Sequence, residues 1–332
     1  MKSSAIAHAN IALVKYWGKR NEELMLPYNS SISMTVSDFA AHTTVEFGEQ
    51  YEEDTFILDG IQYEKGSKVY DKYIERFLEK VRKKVGSNLR ARIKSQNNFP
   101  TGAGLASSAA GFAALATAID GSLSLGMDKK ELSILARLGS GSAARSVVGG
   151  FAEWKKGEKE DGTDSYVEQL VPPSHWPEFR MIACVVSQEE KEVSSRSGMA
   201  RTVSTSPFYA SWLENIKEDL NNVRRGVQEK DIALVGETAQ RNCLRMHALM
   251  FSTLPPLVYW NPATLRIIKK CLEWQEKMDC FFTIDAGPQV KIICLQENSE
   301  EIVRRCASIK GVETTRVLAP GEGSRIINDH LF

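Results

Sequence analysis

Residues 100–111 read Pro-Thr-Gly-Ala-Gly-Leu-Ala-Ser-Ser-Ala-Ala-Gly, a proline and a glycine-rich turn between the apolar-patterned segment 89–93 and a helix of very small side chains. Such a turn aims free backbone N–H groups and the positive end of a helix at one spot, which is what a phosphate requires. Gly102 and Gly104 let the main chain approach an anion, and the turn runs through Leu105 and Ala106 to the hydroxyls of Ser107 and Ser108. The alternative is a small-residue helix packed tightly on a neighbour. The segment lacks the Gly-Lys-Ser/Thr of a Walker loop. As G-x-G-x-x-S it approaches a dinucleotide-binding turn. The acidic residue that should close a second strand about 20 positions later is Asp120, which falls inside the helical pattern of 105–123. That placement argues against a doubly wound sheet.

Outward from this stretch, short apolar or alternating runs predict strands at 43–47, 55–58, 89–93, 180–186, 281–284 and 290–295. Helical periodicity covers 71–84, 105–123, 129–138, 208–229, 231–250, 263–276 and 300–309. Strands mixed with helices come first and a helical block follows, so the fold class is α+β. The polar stretch 155–165 reads as a surface loop, and 171–177, with Pro172 and Pro173, as a junction between lobes.

The composition narrows the function classes. Lysine plus arginine and aspartate plus glutamate both number 42 in 332 residues, so there is no net electrostatic footprint for nucleic acid. The one dense basic stretch, 80–94, reads as a solvated face. The longest apolar run, 111–119, is far short of the roughly 20 residues of a membrane span, and no secretory leader is evident before Asn10 and Lys15. Six cysteines without a Cys-x-x-Cys pair suggest buried, reduced thiols and a cytoplasmic protein. Five histidines without His-x-x-x-His speak against a dedicated metal centre.

Four more segments have chemical potential. In Gly-Ser-Gly-Ser-Ala-Ala-Arg-Ser-Val-Val-Gly-Gly, residues 139–150, Ser142 and Arg145 share a helical face, and a guanidinium suits carboxylate or phosphate; a flexible loop with a surface arginine is the alternative. In 7–19, Lys15 and Lys19 bracket Tyr16, Trp17 and Gly18 within an apolar stretch, so each ammonium must meet an anion or snorkel to the surface. In 281–288, an apolar strand delivers Asp285 to a Gly-Pro turn, where it either caps the turn or works in a cleft. Ser195 and Arg196 follow the 180–186 strand and suit phosphate, whereas His247, at helical spacing among apolar residues, reads as a satisfied core histidine.

Taken together, these segments resemble the GHMP kinase superfamily and, within it, the mevalonate diphosphate decarboxylases. The resemblance spans nearly the whole chain, through NIALVKYWGKRNE, NSSISMT, PTGAGLASSAAGFAALA, GSGSAARSVVGGFAEW, VSSRSGM, LRMHALM and FTIDAGPQVKI. The GLASSAA type is shared across the superfamily, while KYWGK, GSGSAARS and DAGP in this order are more specific. The resemblance implies a ribosomal protein S5 domain 2-like lobe over 1–178, a ferredoxin-like lobe over 179–332 and a deep cleft. It implies ATP- and Mg²⁺-dependent conversion of mevalonate 5-diphosphate to isopentenyl diphosphate, phosphate and CO₂, by a cytoplasmic homodimer with no membrane or nucleic-acid partner.

By matching position, Gly102, Gly104, Leu105, Ala106, Ser107 and Ser108 would hold ATP phosphates, Ser107 near the metal, with Lys72 and Asn97 on the nucleotide side. Tyr16, Lys19, Ser140, Ser142, Ser195 and Arg196 would hold the diphosphate. Arg145 would take the carboxylate, with Asn10 close by, and Asp285 would act on the 3-hydroxyl, with Lys15 beside it, as base or as electrostatic stabiliser. Relatives usually have asparagine after DAGP where this chain has Gln289. Relatives that only phosphorylate mevalonate lack the Asp and Lys pair, and those acting on the monophosphate need fewer diphosphate ligands. A nicotinamide dehydrogenase using Gly102–Ser107 and a catalytically silent sensor on the same fold remain the readings from other classes; NADH binding without ATP binding marks the first, ligand binding without turnover the second.

Overall fold

The computed structural model describes residues 1–99, 107–189 and 191–332, with the backbone alone at Lys72. In chain order the first half comprises β1 (Lys2–Val14), β2 (Lys19–Asn21), β3 (Leu26–Pro27), β4 (Ser31–Gly48), β5 (Thr55–Leu58), β6 (Ile61–Tyr63), a π-helical turn leading into α1 (Arg76–Val85), and β7 (Arg90–Asn97). Then come α2 (Ser107–Leu123), α3 (Lys129–Gly139), a 3₁₀ segment Gly141–Val147, β8 (Phe151–Trp154) and β9 (Val167–Val171). The second half comprises β10 (Phe179–Val185), α4 (Ser195–Thr205), α5 (Tyr209–Glu229), α6 (Ile232–Phe251), α7 (Pro262–Trp274), β11 (Cys280–Ile284), β12 (Val290–Leu295), α8 (Gln296–Ala307), β13 (Thr314–Leu318) and β14 (Arg325–Ile327).

The larger sheet has the order β14-β1-β4-β7-β5-β6, with β8 and β9 attached through β4. Its ladders are antiparallel except β5 with β7. Asp120 lies inside α2, and among the described residues no second parallel strand follows that helix, so they do not form the dinucleotide-binding topology. In β1, Ala5, Ala7 and Ala9 are fully buried on one face, and from Ala9 to Val14 both faces are covered, so the second half of the strand shows no period-two pattern. Alanines permit close approach, and α2 packs on β1 and β4 with Ala109, Ala110, Ala113 and Ala114 buried. Thus α2 is the tightly packed small-residue helix, and its first residues also open onto the cleft described below. Residues 100–106, including Gly102, Gly104, Leu105 and Ala106, lie outside the described residues.

The smaller sheet, β11-β12-β10-β13, is antiparallel. Period-two alternation decides the position of the site. Phe282, Ile284, Val290 and Ile292 belong to the core shared with α7 and α8, whereas Phe281 and Ile293 belong to the larger core that includes β1, α5 and α6. Thr283, paired with Lys291, and then Asp285 share the second face, toward the first sheet.

The stretch after β9 carries the chain to the second sheet at Phe179, and the C-terminus crosses back: Pro320 bridges Val36, and β14 pairs with β1. The 155–165 loop is anchored by buried Arg137, which donates to the carbonyls of Leu24 at 3.1 Å and Gly162 at 2.9 Å, and to that of Ser165. All six cysteines are buried and unpaired. Among the described residues no helix is long and apolar enough to cross a membrane.

Gly18, between Trp17 and Lys19, holds φ +109°, and a Cβ there would sit 1.9 Å from the Tyr209 hydroxyl, which donates to the Trp17 carbonyl at 2.8 Å. Gly18→Ala is therefore expected to lower the free energy of unfolding by about 3 kcal/mol, from backbone strain plus overpacking. Urea unfolding at neutral pH measures it, and a loss below about 1 kcal/mol would contradict this account.

Candidate active site

A cavity of about 490 Å³ lies where the end of β1, the N-terminus of α2, the 3₁₀ segment, the start of α4 and the end of β11 meet. Lys15, immediately after β1, has a side chain only 2% exposed. Its Nζ donates to the Ala12 carbonyl at 2.7 Å and to Asp285 Oδ1 at 2.9 Å, so it is buried and paired and does not snorkel. Its backbone is fixed as well: its N–H donates to Asn242 Oδ1, and its carbonyl accepts from Asn29 Nδ2, both at 2.8 Å.

Asp285 is 29% exposed and lines the cavity. Its second oxygen accepts from Lys291 Nζ at 3.1 Å, and Lys291 is 1% exposed. Burial alone would raise this carboxyl's pKa, but the two ammonium groups win and hold it well below the usual carboxylate range. Asp285 is accordingly an anion at neutral pH on the wall of the cleft.

Arg145, 3% exposed, lines the cavity. Its Nε donates to Asn10 Oδ1 at 3.1 Å and Ser33 Oγ at 2.9 Å, and its Nη1 donates to Ser31 Oγ at 2.6 Å. Asn10 in turn donates to the Ser142 carbonyl at 2.9 Å and Ser146 Oγ at 2.8 Å. Burial lowers the guanidinium's pKa to about 10, still far above neutrality. Among the described residues its Nη2 makes no hydrogen bond, so this cation keeps donor capacity for a ligand.

Hydroxyls continue from Arg145 to α2: Ser142 to Ser140 at 3.3 Å, then Ser140 to Ser108 at 3.3 Å, with Ser107 also on the wall. Ser195 and Arg196 face this row, and Arg196 is placed by the Gly139 carbonyl at 3.2 Å and the Tyr73 ring at 5.3 Å. Tyr16 also lines the cavity and packs edge-on against Trp154 at 4.8 Å; burial pushes its phenol pKa well up, so it is a neutral hydroxyl. Lys19 lines the cavity too and pairs with Glu22. Asn97 stands on the wall with its amide donating to Asp59 Oδ2 at 3.2 Å, whereas the Lys72 side chain lies outside the described residues. Gln289, the departure after DAGP, is buried and accepts from the Val186 N–H at 2.7 Å, tying the turn to the end of β10.

The sequence reading missed three features. Lys191 lines the cavity, with its Nζ 3.4 Å from Ser195 Oγ and its pKa lowered by burial; among the acids of 189–192 it reads as loop charge. Lys291 was hidden in an apolar run. An apolar arm, with Phe56, Tyr63, Tyr73, Ile74 and Phe112, completes the cavity and suits a flat ring.

His247 is a core histidine as expected but not a fully satisfied one: it is fully buried and takes Trp260 Nε1–H on Nε2 at 3.4 Å, while its Nδ1 has no hydrogen-bond partner among the described residues. Burial pushes its pKa from 6.5 down to about 3. The unfolded chain therefore binds a proton below pH 6.5 that the native state refuses, and stability falls as the pH drops through that window. His247→Gln is expected to remove about 2 kcal/mol of the loss between pH 6.5 and 5. Urea unfolding of both proteins at pH 7 and 5 tests it, and equal pH slopes would refute it.

Residues 7–167 match the family model described as the diphosphomevalonate decarboxylase-like N-terminal domain, and residues 181–319 match the mevalonate 5-diphosphate decarboxylase C-terminal domain. The chain belongs to the diphosphomevalonate decarboxylase family. It is similar to diphosphomevalonate decarboxylases of Aspergillus fumigatus, 39% identical over 94% of this chain and 81% of that one, and of Saccharomyces cerevisiae, 37% identical over 90% and 79%. Among solved structures, the mevalonate diphosphate decarboxylase of Staphylococcus aureus is 40% identical with a TM-score of 0.93 over 98% of both chains. The structure of MDDEF in complex with MVAPP, AMPPCP and magnesium is 42% identical with a TM-score of 0.91 over 99% of both. The fold is the α+β GHMP kinase fold expected from the resemblance, and membership of this family leaves the dehydrogenase reading without support.

Proposed function

We propose that the protein converts mevalonate 5-diphosphate and ATP to isopentenyl diphosphate, ADP, phosphate and CO₂. Beyond family membership, the observation that carries this reading is the ionised carboxylate of Asp285, held between two buried lysines on the wall of a cleft rich in hydroxyls and cations. In the first step the 3-hydroxyl oxygen bonds to the γ-phosphorus as the bond from that phosphorus to the oxygen kept by ADP breaks, and the hydroxyl proton passes to solvent. In the second, the C3–O bond breaks with release of phosphate, the carboxylate leaves as CO₂, and the electron pair of that C–C bond becomes the new double bond.

A tertiary alcohol is a hindered nucleophile, so Asp285 orients it for attack. A carboxylate with two ammonium partners is a weak base, and its larger contribution is electrostatic, stabilising positive charge that develops at C3 as phosphate leaves. Arg145, held by Asn10, Ser31 and Ser33, takes the substrate carboxylate. Tyr16, Lys19, Ser140, Ser142, Ser195 and Arg196 take the diphosphate. Lys72 and Asn97 lie toward the nucleotide, whose phosphates meet the turn Gly102, Gly104, Leu105, Ala106, Ser107 and Ser108.

Among the described residues no three His, Cys, Asp or Glu side chains converge as a metal site. The donor set instead fits Mg²⁺ that arrives on phosphate oxygens, with the Ser107 hydroxyl as its protein contact, and the ion offsets phosphate charge when bound. We take residues 1–178 as the nucleotide-binding lobe and 179–332 as the second lobe of a cytoplasmic homodimer, a state that light scattering tests. Six buried, unpaired thiols support the compartment. ADP release measured in parallel with mevalonate, its 5-phosphate and its 5-diphosphate tests the substrate: turnover should be fastest with the diphosphate. A preference for either of the others would overturn it.

A further inference from the structure

We infer that Lys291 is a positioning residue of this reaction: it holds the second oxygen of the Asp285 carboxylate and so fixes the plane in which that carboxylate meets the tertiary alcohol. The inference rests on the decarboxylase reading. Lys291 lies within β12, on the face that carries Ile293, while its strand neighbours Val290 and Ile292 enter the opposite core. Its register partner is Thr283 of β11, and Asp285 comes two residues later on the same face, which makes the pair a diagonal cross-strand neighbour. Lys291 Nζ stands 3.1 Å from Asp285 Oδ2 and 3.4 Å from the Gln289 carbonyl.

Stability does not explain a lysine here. A buried ion pair is often no better than well-packed apolar side chains of similar volume, and Lys15 alone already supplies Asp285 with a buried counter-ion. What two lysines add is geometry: with Oδ1 on Lys15 and Oδ2 on Lys291, the carboxylate is pinned at both oxygens and cannot rotate about its Cβ–Cγ bond. A hydroxyl that must be both oriented and phosphorylated needs such a fixed acceptor. The charged and titratable groups facing Asp285 come from every element around it: Lys15 after β1, Arg145 of the 3₁₀ segment, Lys191 of the loop after β10, Cys243 and His247 of α6, and Lys291 itself.

The test compares Lys291→Met, Lys291→Gln and Lys291→Arg. Met and Gln should each lower kcat by about 10- to 100-fold, with KM for ATP and for mevalonate 5-diphosphate within about threefold of wild type, and Arg should recover kcat to within about fivefold. Gln serves should Met fail to fold. In the ligand-free protein labelled with [4-¹³C]aspartate and assigned against Asp285→Asn, the Asp285 carboxyl should titrate at higher pH in the neutral variants than in wild type. A kcat within threefold of wild type for Met or Gln, an Arg variant as slow as Met, or an unchanged carboxyl titration would overturn the role. Absence of CO₂ from wild type would instead sink the decarboxylase reading, and the titration would still report whether Lys291 grips Asp285.

Discussion

Asp285→Ala is expected to lower kcat for isopentenyl diphosphate formation by about 10³- to 10⁴-fold, while the dissociation constant for ATP stays within about threefold of wild type. The asymmetry follows from placement. Asp285 stands at the end of β11 beside Lys15 and Lys291, whereas the expected nucleotide contacts among the described residues are Asn97, Ser107, Ser108 and the apolar arm. Removing the carboxylate also leaves two buried ammonium groups facing each other, so a loss of about 3–5 kcal/mol in stability should accompany the kinetic effect. Turnover must therefore be normalised to folded protein by urea titration. Asp285→Asn keeps the volume and separates charge from shape; it should be nearly as slow, and near-wild-type turnover in either variant would remove Asp285 from the mechanism. Because the folded carboxyl titrates below its ordinary 3.8, it is ionised throughout the neutral range, and the acid limb of the kcat profile between pH 5 and 8 should not belong to it. The sign for stability is the same: its contribution is present above the unfolded value and is lost as the pH falls through the lower, folded one.

Arg145→Lys should lower kcat/KM for mevalonate 5-diphosphate by about 10²- to 10³-fold, a change formally conservative in charge. Three hydrogen bonds, to Asn10, Ser31 and Ser33, fix the guanidinium plane, and an ammonium cannot reproduce donors at three fixed directions while keeping one for the substrate carboxylate. The hydroxyls of Ser31 and Ser33 and the Asn10 amide would lose buried partners, so part of the effect is positional. Steady-state kinetics with varied mevalonate 5-diphosphate at saturating ATP measure it. A loss under about fivefold would show that the planar fork is not required.

The sequence made the site legible wherever a local constraint leaves a local trace. The small-residue helix after a glycine turn, the Ser142–Arg145 spacing and the strand that ends at Asp285 each owe their pattern to neighbours along the chain, and all three meet at the cavity. What could not be read depends on partners distant in sequence. Whether Lys15 would be buried or snorkel was open from 7–19 alone, because the answer is Asp285, 270 residues away. Lys291 looked like an interruption of an apolar strand until β11 was set beside it. The second half of β1 gave no alternation because it is buried on both faces from Ala9 to Val14, and β14 is too short to announce its return to β1. In the α4 segment, small hydroxyl-bearing residues hide a helix that Ser194 caps by accepting from the Ser197 N–H.

The central claim is that a held anion on the cleft wall couples phosphorylation of a tertiary alcohol to loss of the neighbouring carboxylate. The most direct measurement is the stoichiometry of ADP and ¹⁴CO₂ from [1-¹⁴C]mevalonate 5-diphosphate with purified wild-type protein. The account predicts one CO₂ for each ADP, in step over the whole time course. ADP released without CO₂, or neither product formed from folded protein at saturating ATP and Mg²⁺, would contradict it.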